Sequence, residues 1–206
     1  MEFNIQHMVI VLAQLILAVT IHEFAHAYSA DRLGDPTPRR QGRISLLPPD
    51  HLDPIGTVMM VITTITGFGI GWGKPVMVNP GNFRNPRRDH GMVAAAGPLS
   101  NVVMAVLFAL TLRFGLVPED SMLGAFILMG VVVNLSLFVF NLLPISPLDG
   151  SSVVTALLPY DAAMRYRAWM QAYGLFVFLG LVLLFPRFLS MIIGPPVSAM
   201  MGVLLP

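Results

Sequence analysis

The chain has 206 residues, of which 55% are hydrophobic and only 11% charged, with a formal net charge of +1 and a mean hydropathy of +0.74. A soluble domain carries about twice that charged fraction to keep its surface wet, so most of this chain must sit in lipid, and its few, local basic clusters give no footing for a nucleic-acid partner. It contains no cysteine, which removes disulfides, thiolate metal ligands and a cysteine nucleophile together.

In chain order, residues 8–30 form the first apolar run, roughly 33 Å long as a helix and sufficient to cross a bilayer core. No charged region precedes it and the first basic residue, Arg32, follows it, so it does not resemble a cleaved signal peptide. Residues 31–54 are polar and Pro-rich, with Arg32, Arg39, Arg40 and Arg43. A short apolar segment, 55–66, leads into a glycine-rich run at 67–73, and 74–85 reads as extended chain and turns. Residues 92–116 and 122–143 are the second and third spans, antiparallel across the short Glu119-Asp120 turn. A Pro/Gly-rich break at 144–159 precedes a fourth span at 168–185. The last apolar stretch, 188–205, is interrupted by Gly194-Pro195-Pro196 and has no assignment.

Lys74, Arg84, Arg87 and Arg88 make the segment before the second span as basic as the one after the first, so both are expected on the cytoplasmic side. That requires 55–73 to enter the membrane and return, which suits a segment too short and glycine-rich to cross. The expected fold is an all-α polytopic membrane protein with about four full transmembrane helices plus a re-entrant segment or β-hairpin. Five or six spans is the alternative. One membrane-embedded domain covers 1–206, with its core at 8–158 and C-terminal helices at 161–205.

The chemistry is concentrated in His22-Glu23-Phe24-Ala25-His26. On a helix, positions i and i+4 share a face, so both imidazoles can bind one metal while the glutamate between them reaches a water beside it. A zinc ion acidifies that water and the glutamate takes its proton. Ionisable groups inside a span are unfavourable by about 2.5–3.5 kcal/mol each on insertion scales, so three together demand a function. A catalytic zinc usually takes a third protein ligand. Glu2 and Glu119 fall on the outer side, whereas Asp149, just past the inner end of the third span, fits; His51 and Asp53 are its rivals.

With these residues, the chain resembles the site-2 protease family of intramembrane zinc metalloproteases, in its compact branch without PDZ or CBS domains. The resemblance rests on the His22–His26 motif and on Asn141-Leu-Leu-Pro144-Ile-Ser-Pro147-Leu-Asp149-Gly150. Asp53-Pro54-Ile-Gly56, Gly71-Trp72-Gly73-Lys74-Pro75-Val76 and Ala96-Gly97-Pro98-Leu-Ser-Asn101 support it. It implies one zinc per chain held by His22, His26 and Asp149, with Glu23 as general base, and cleavage of a transmembrane segment of a single-pass membrane protein. It also implies a multi-pass protein of a prokaryotic cell membrane whose site faces the cytoplasmic side. Asn141 matches an asparagine that assists substrate or oxyanion binding, and Gly69, Gly71 and Gly73 match a re-entrant hairpin that pairs with an unwound substrate strand. Gly97, Pro98 and Asn101 are assigned to close helix packing. Leu47 stands before Pro48 where this branch often has asparagine, which leaves that asparagine's role without a counterpart. The rival function is a metal-ion transporter or channel using the same histidine and aspartate cluster.

Overall fold

The computed structural model describes residues 5–66 and 69–205. Helix α1 (Ile5–Arg32) carries Ile10, Gln14, Ala18, His22, His26 and Ala30 as one buried stripe repeating every four residues. Helix α2 (Thr37–Arg40) is a single turn, and α3 (Pro54–Thr66) follows, its first turn capped by the Asp53 carboxylate accepting from Gly56 N–H at 2.8 Å. Helix α4 (Pro86–Arg113) bears a matching stripe, Asp89, Val93, Gly97, Asn101, Ala105 and Ala109. Because its members are mostly small, α1 and α4 approach closely along their four-residue ridges. Helix α5 (Met122–Asn141) packs on both, and Gln14 of α1 donates to the Phe126 carbonyl at 2.8 Å.

The remaining helices are α6 (Asp149–Leu157), α7 (Tyr160–Leu184) and α8 (Pro186–Leu204). Five helices, α1, α4, α5, α7 and α8, are long and apolar enough to cross a membrane, in keeping with an all-α polytopic protein. Large apolar side chains such as Val103, Leu107, Leu123, Phe176 and Leu183 point outward, the surface expected where the solvent is lipid rather than water.

One expectation is extended and one is corrected. The first concerns the helices after α5, where the expected fourth span, within α7, is joined by a fifth helix of spanning length, α8. Along α7, Tyr166 Oη donates to the Pro144 carbonyl at 2.8 Å, Gly174 lies against Ser146, and Phe178 and Val182 pack on Phe140 and Leu148. The helix therefore packs on the bend that follows α5. Helix α8, the stretch left without an assignment, packs on α4 and α5: Val197 joins Ala105, Ala109, Val131 and Leu135, and the Val203 carbonyl accepts from Arg113 at the far end of α4. The Pro195-Pro196 pair lies inside a continuous helix, which membrane helices tolerate because local adjustments and neighbours re-satisfy the freed backbone groups.

The correction concerns the β-hairpin. Among the described residues no strand forms; Gly67 and Phe68, part of the expected hairpin, lie outside them. Residues 70–79 run extended and make one isolated antiparallel bridge, Leu52 with Gly73. Several of their backbone groups have other partners. Lys74 N–H donates to the His51 carbonyl at 2.8 Å, Arg43 donates to the carbonyls of Lys74 and Pro75, and the Asp35 carboxylate accepts from Asn79 N–H. At 13 residues α3 is about 20 Å long, short of a bilayer core. The chain returns beside it, since a side chain at Gly71 would meet the Met60 backbone at 2.8 Å. Segment 54–79 thus leaves and rejoins the bundle at one end, where Asp35 ties 79–82 to α2.

Candidate metal centre

The two buried stripes bring the donors together. Antiparallel packing sets His22 opposite Asn101 and His26 opposite Val93, with Gly97 between them. His26 Nδ1–H donates to the Val93 carbonyl at 2.8 Å, and His22 Nδ1 lies 2.7 Å from Asn101 Oδ1. With the proton on Nδ1, each Nε2 is left as a lone pair, and both lie beside Gly97 of α4. Asp149 joins them from the first turn of α6, after a bend that includes the cis Ser146–Pro147 peptide.

The Nε2 atoms of His22 and His26 are 3.0 Å apart, and Asp149 Oδ2 lies 3.1 Å from the first and 3.3 Å from the second. Zinc held tetrahedrally at 2.0–2.1 Å requires donor separations of about 3.3 Å. Two imidazole nitrogens and a carboxylate oxygen converging at nearly this separation fit zinc in chemistry and spacing. A cradle is also built beside it. A methyl at Gly97 would fall 2.4 Å from His26 Nε2 and 2.6 Å from His22 Nε2, inside the space the donors share. Among the described residues, His22, His26 and Asp149 are the group of His, Asp and Glu side chains able to hold an ion. The rivals are elsewhere: His51 is buried with Nε2 2.7 Å from the Ser45 carbonyl, and Asp53 caps α3.

The donors open on a cavity of about 400 Å³ that Glu23, Gly71, Trp72, Gly73, Val76 and Asn141 also line. Gly73 rides directly on α1, where a side chain would meet Val19 at 2.6 Å and the Glu23 Cγ at 3.4 Å. Asn141 donates to the Leu137 carbonyl one turn back at 2.9 Å. Gly69, the remaining glycine of the expected set, lies away from this cavity in a groove with Val182, Pro186 and Leu189. Its φ of 121° suits glycine in particular.

Arg43 is a site residue that sequence reasoning counted only as a topological charge. It is buried, its Nη2 is 3.7 Å from Glu23 Oε2, and it donates to the two carbonyls of the extended segment. Burial pushes its guanidinium below the ordinary arginine value, opposed by the carboxylates of Glu23 and Asp50. Asn101 and Gly97 were likewise read as packing alone, yet both touch the histidines. The four-residue spacing of Val93, Gly97 and Asn101 was the available signal.

A helical membrane bundle that turns an HExxH face, a third acidic donor and a glutamate into one buried cavity is a membrane-embedded metallohydrolase. Known proteins make the assignment specific. The chain is 38% identical over 172 residues to the Bacillus subtilis protein named "Putative zinc metalloprotease YwhC", a match covering 80% of this chain and 76% of YwhC. It is 32% identical over 143 residues to the Mycobacterium tuberculosis protein of the same description, Rip2, covering 69% of this chain and 54% of Rip2. Over 67 residues it is 43% identical to a third so described, MJ0611 of Methanocaldococcus jannaschii, covering 32% of this chain and 34% of that protein. The chain thus spans three quarters of YwhC's length and about half of Rip2's. No family model matches the chain, and no solved structure does. It belongs to the site-2 protease family of zinc metalloproteases.

Proposed function

We propose that His22, His26 and Asp149 hold one zinc ion and that Glu23 is the general base for hydrolysis of a peptide bond within a transmembrane segment of a single-pass membrane protein. The observation that carries this reading is the triangle of donor atoms at 3.0–3.3 Å opening on the cavity that Glu23 lines. Zinc supplies Lewis-acid chemistry there, making water acidic near neutral pH and polarising the scissile carbonyl. Glu23 takes the proton as the water oxygen bonds to the carbonyl carbon, then returns it to the amide nitrogen as the C–N bond breaks. Asn141 and the glycines at 71 and 73 contribute polar and close-fitting walls for an unwound substrate strand. The rival transporter reading finds no support among the named relatives.

The whole chain acts as one membrane-embedded domain of a prokaryotic cell membrane, with the site toward the cytoplasmic side. Support for that orientation comes from the basic segments after α1 and before α4, which adjoin through the Asp35 and Arg43 contacts. The test is single-turnover cleavage of a membrane-embedded substrate by wild type and Glu23→Gln, with zinc measured on both. Loss of general-base help lowers the rate on the order of 10²–10⁴-fold with zinc retained. A Glu23→Gln variant that cleaves at the wild-type rate with zinc in place sinks the assignment.

A further inference from the structure

Asn101 and Asn134 are both fully buried in the helical bundle, where a polar side chain is unfavourable unless hydrogen-bonded. Their bonds form a directed chain. Asn134 Nδ2 donates to the Gly130 backbone carbonyl at 2.8 Å. A carbonyl can only accept, so this contact fixes which end of the Asn134 amide is nitrogen. Asn134 Oδ1 is consequently turned toward α4, where it accepts from Asn101 Nδ2 at 3.0 Å. Asn101 Nδ2 also faces the Ala18 carbonyl at 3.4 Å. With its nitrogen committed on that side, Asn101 presents Oδ1 to His22 Nδ1 at 2.7 Å. An acceptor there requires the proton on Nδ1 and leaves Nε2 as the lone pair facing His26 and Asp149. His26 reaches the same state more simply, through the Val93 carbonyl.

From this chain of contacts we infer that Asn101 and Asn134 are positioning residues of the metal centre: a backbone carbonyl of α5 sets, through two buried amides, the tautomer and ring orientation of His22. The inference rests on the zinc-ligand reading of His22. It also accounts for two asparagines where two leucines would fill similar volume. An amide can turn end for end, and Asn101 alone could offer His22 its nitrogen. Asn134, anchored on Gly130, removes that choice.

The test is zinc affinity, measured by chelator competition on full-length protein in detergent, with thermal unfolding of the zinc-free form as a separate readout of packing. Partners hydrogen-bonded to a metal-bound histidine typically contribute 10–100-fold in affinity. Asn101→Leu is expected to lose about that much. Asn134→Leu is expected to weaken zinc in the wild-type background but to add nothing once Asn101→Leu is present, because it acts only through Asn101. Asn134→Asp is expected to restore binding, since a buried neutral carboxyl offers a donor to Gly130 and an acceptor to Asn101. If Asn101→Leu does not fold, the two Asn134 variants still decide between relay and packing. Wild-type zinc affinity in both leucine variants, or independent additive losses, would overturn the inference even though unfolding shifts. His22→Ala is the control: should it keep its zinc, the ligand reading itself fails, whereas zinc lost there but kept in Asn101→Leu removes only the relay.

Discussion

Gly97→Ala is the sharpest single perturbation of the centre. The added methyl would lie 2.4 Å from one Nε2 and 2.6 Å from the other, roughly an ångström inside ordinary contact. Relief can come from α4 backing away from α1, which disturbs packing by about 1–3 kcal/mol. Otherwise the imidazoles swing aside and lose their bonds to Asn101 and Val93, about 1 kcal/mol each. Either route breaks the donor triangle, so zinc affinity is expected to fall on the order of 100-fold or more, beyond what removal of a histidine's hydrogen-bond partner produces. The control is Gly124→Ala in the first turn of α5, where a methyl would meet the Pro118 carbonyl oxygen at 2.3 Å, at the end of α5 away from the donors. It is expected to destabilise the zinc-free protein comparably and leave zinc affinity alone. The assay is chelator competition together with unfolding midpoints at several zinc concentrations, since binding to the folded state raises stability by mass action. Wild-type zinc affinity in Gly97→Ala, or equal loss in both variants, would refute the argument that Gly97 clears the ligand space.

Three further perturbations follow from other parts of the structure. Arg43→Gln removes charge-assisted bonds to the carbonyls of Lys74 and Pro75, each worth about 1.5–3 kcal/mol; cleavage is expected to drop at least on the order of tenfold with zinc content unchanged, and loss of zinc instead would show that Arg43 supports the metal rather than the extended segment. For Asp35, burial works to raise the carboxyl pKa, but hydrogen bonds from Thr37, Asn82 and the Asn79 backbone hold it below the usual carboxylate range. A depressed folded pKa contributes stability that is full above the unfolded value, about 3.9, and is lost as pH falls through the folded one; Asp35→Asn should therefore lower the unfolding midpoint at pH 7 and converge on wild type in strong acid, and a gap independent of pH would contradict this. Finally, the protein has no cysteine, so Arg40→Cys, Arg88→Cys, Asp120→Cys and Leu205→Cys can be probed one at a time with an impermeant thiol reagent in oriented vesicles. Positions 40 and 88 are expected to label from one side and 120 and 205 from the other; labelling of 205 with 40 would mean that α7 crosses.

The candidate metal site was legible because its signals are local or chemically costly. His22, Glu23 and His26 lie within one helical turn and a little more, and Asp149 is the acid expected on the inner side of the third span, which the structure brings to both histidines. What escaped was everything set by register between helices. Val93, Gly97 and Asn101 repeat every four residues as His22 and His26 do, but nothing in a single sequence says that these two stripes face each other. Arg43 escaped for a different reason. A loop arginine next to other arginines reads as a solvated charge, and only the path of 73–76 across α1 reveals the carbonyls that bury it.

The fold shows the same division between local pattern and tertiary competition. Hydropathy alone rates 168–185 as a good span and 188–205 as a broken one, because a Gly-Pro-Pro run weakens an isolated helix. In the structure both form helices of spanning length, and their neighbours decide how each one packs. Helix α8 presents Val197, Ile193 and Met200 to the alanines of α4 and to Val131 and Leu135 of α5, small and branched surfaces that admit a close partner. Helix α7 instead meets the 144–148 bend, which already lies beside the donors because Asp149 must reach them. Bringing an acidic ligand back to His22 and His26 shortens the path after α5 and leaves α7 starting at the ligand end, with Phe178 and Val182 covering Leu148, the residue next to Asp149. If Asp149 is the third donor, as proposed, its reach to His22 and His26 also sets where α6 starts and which segment covers the bend.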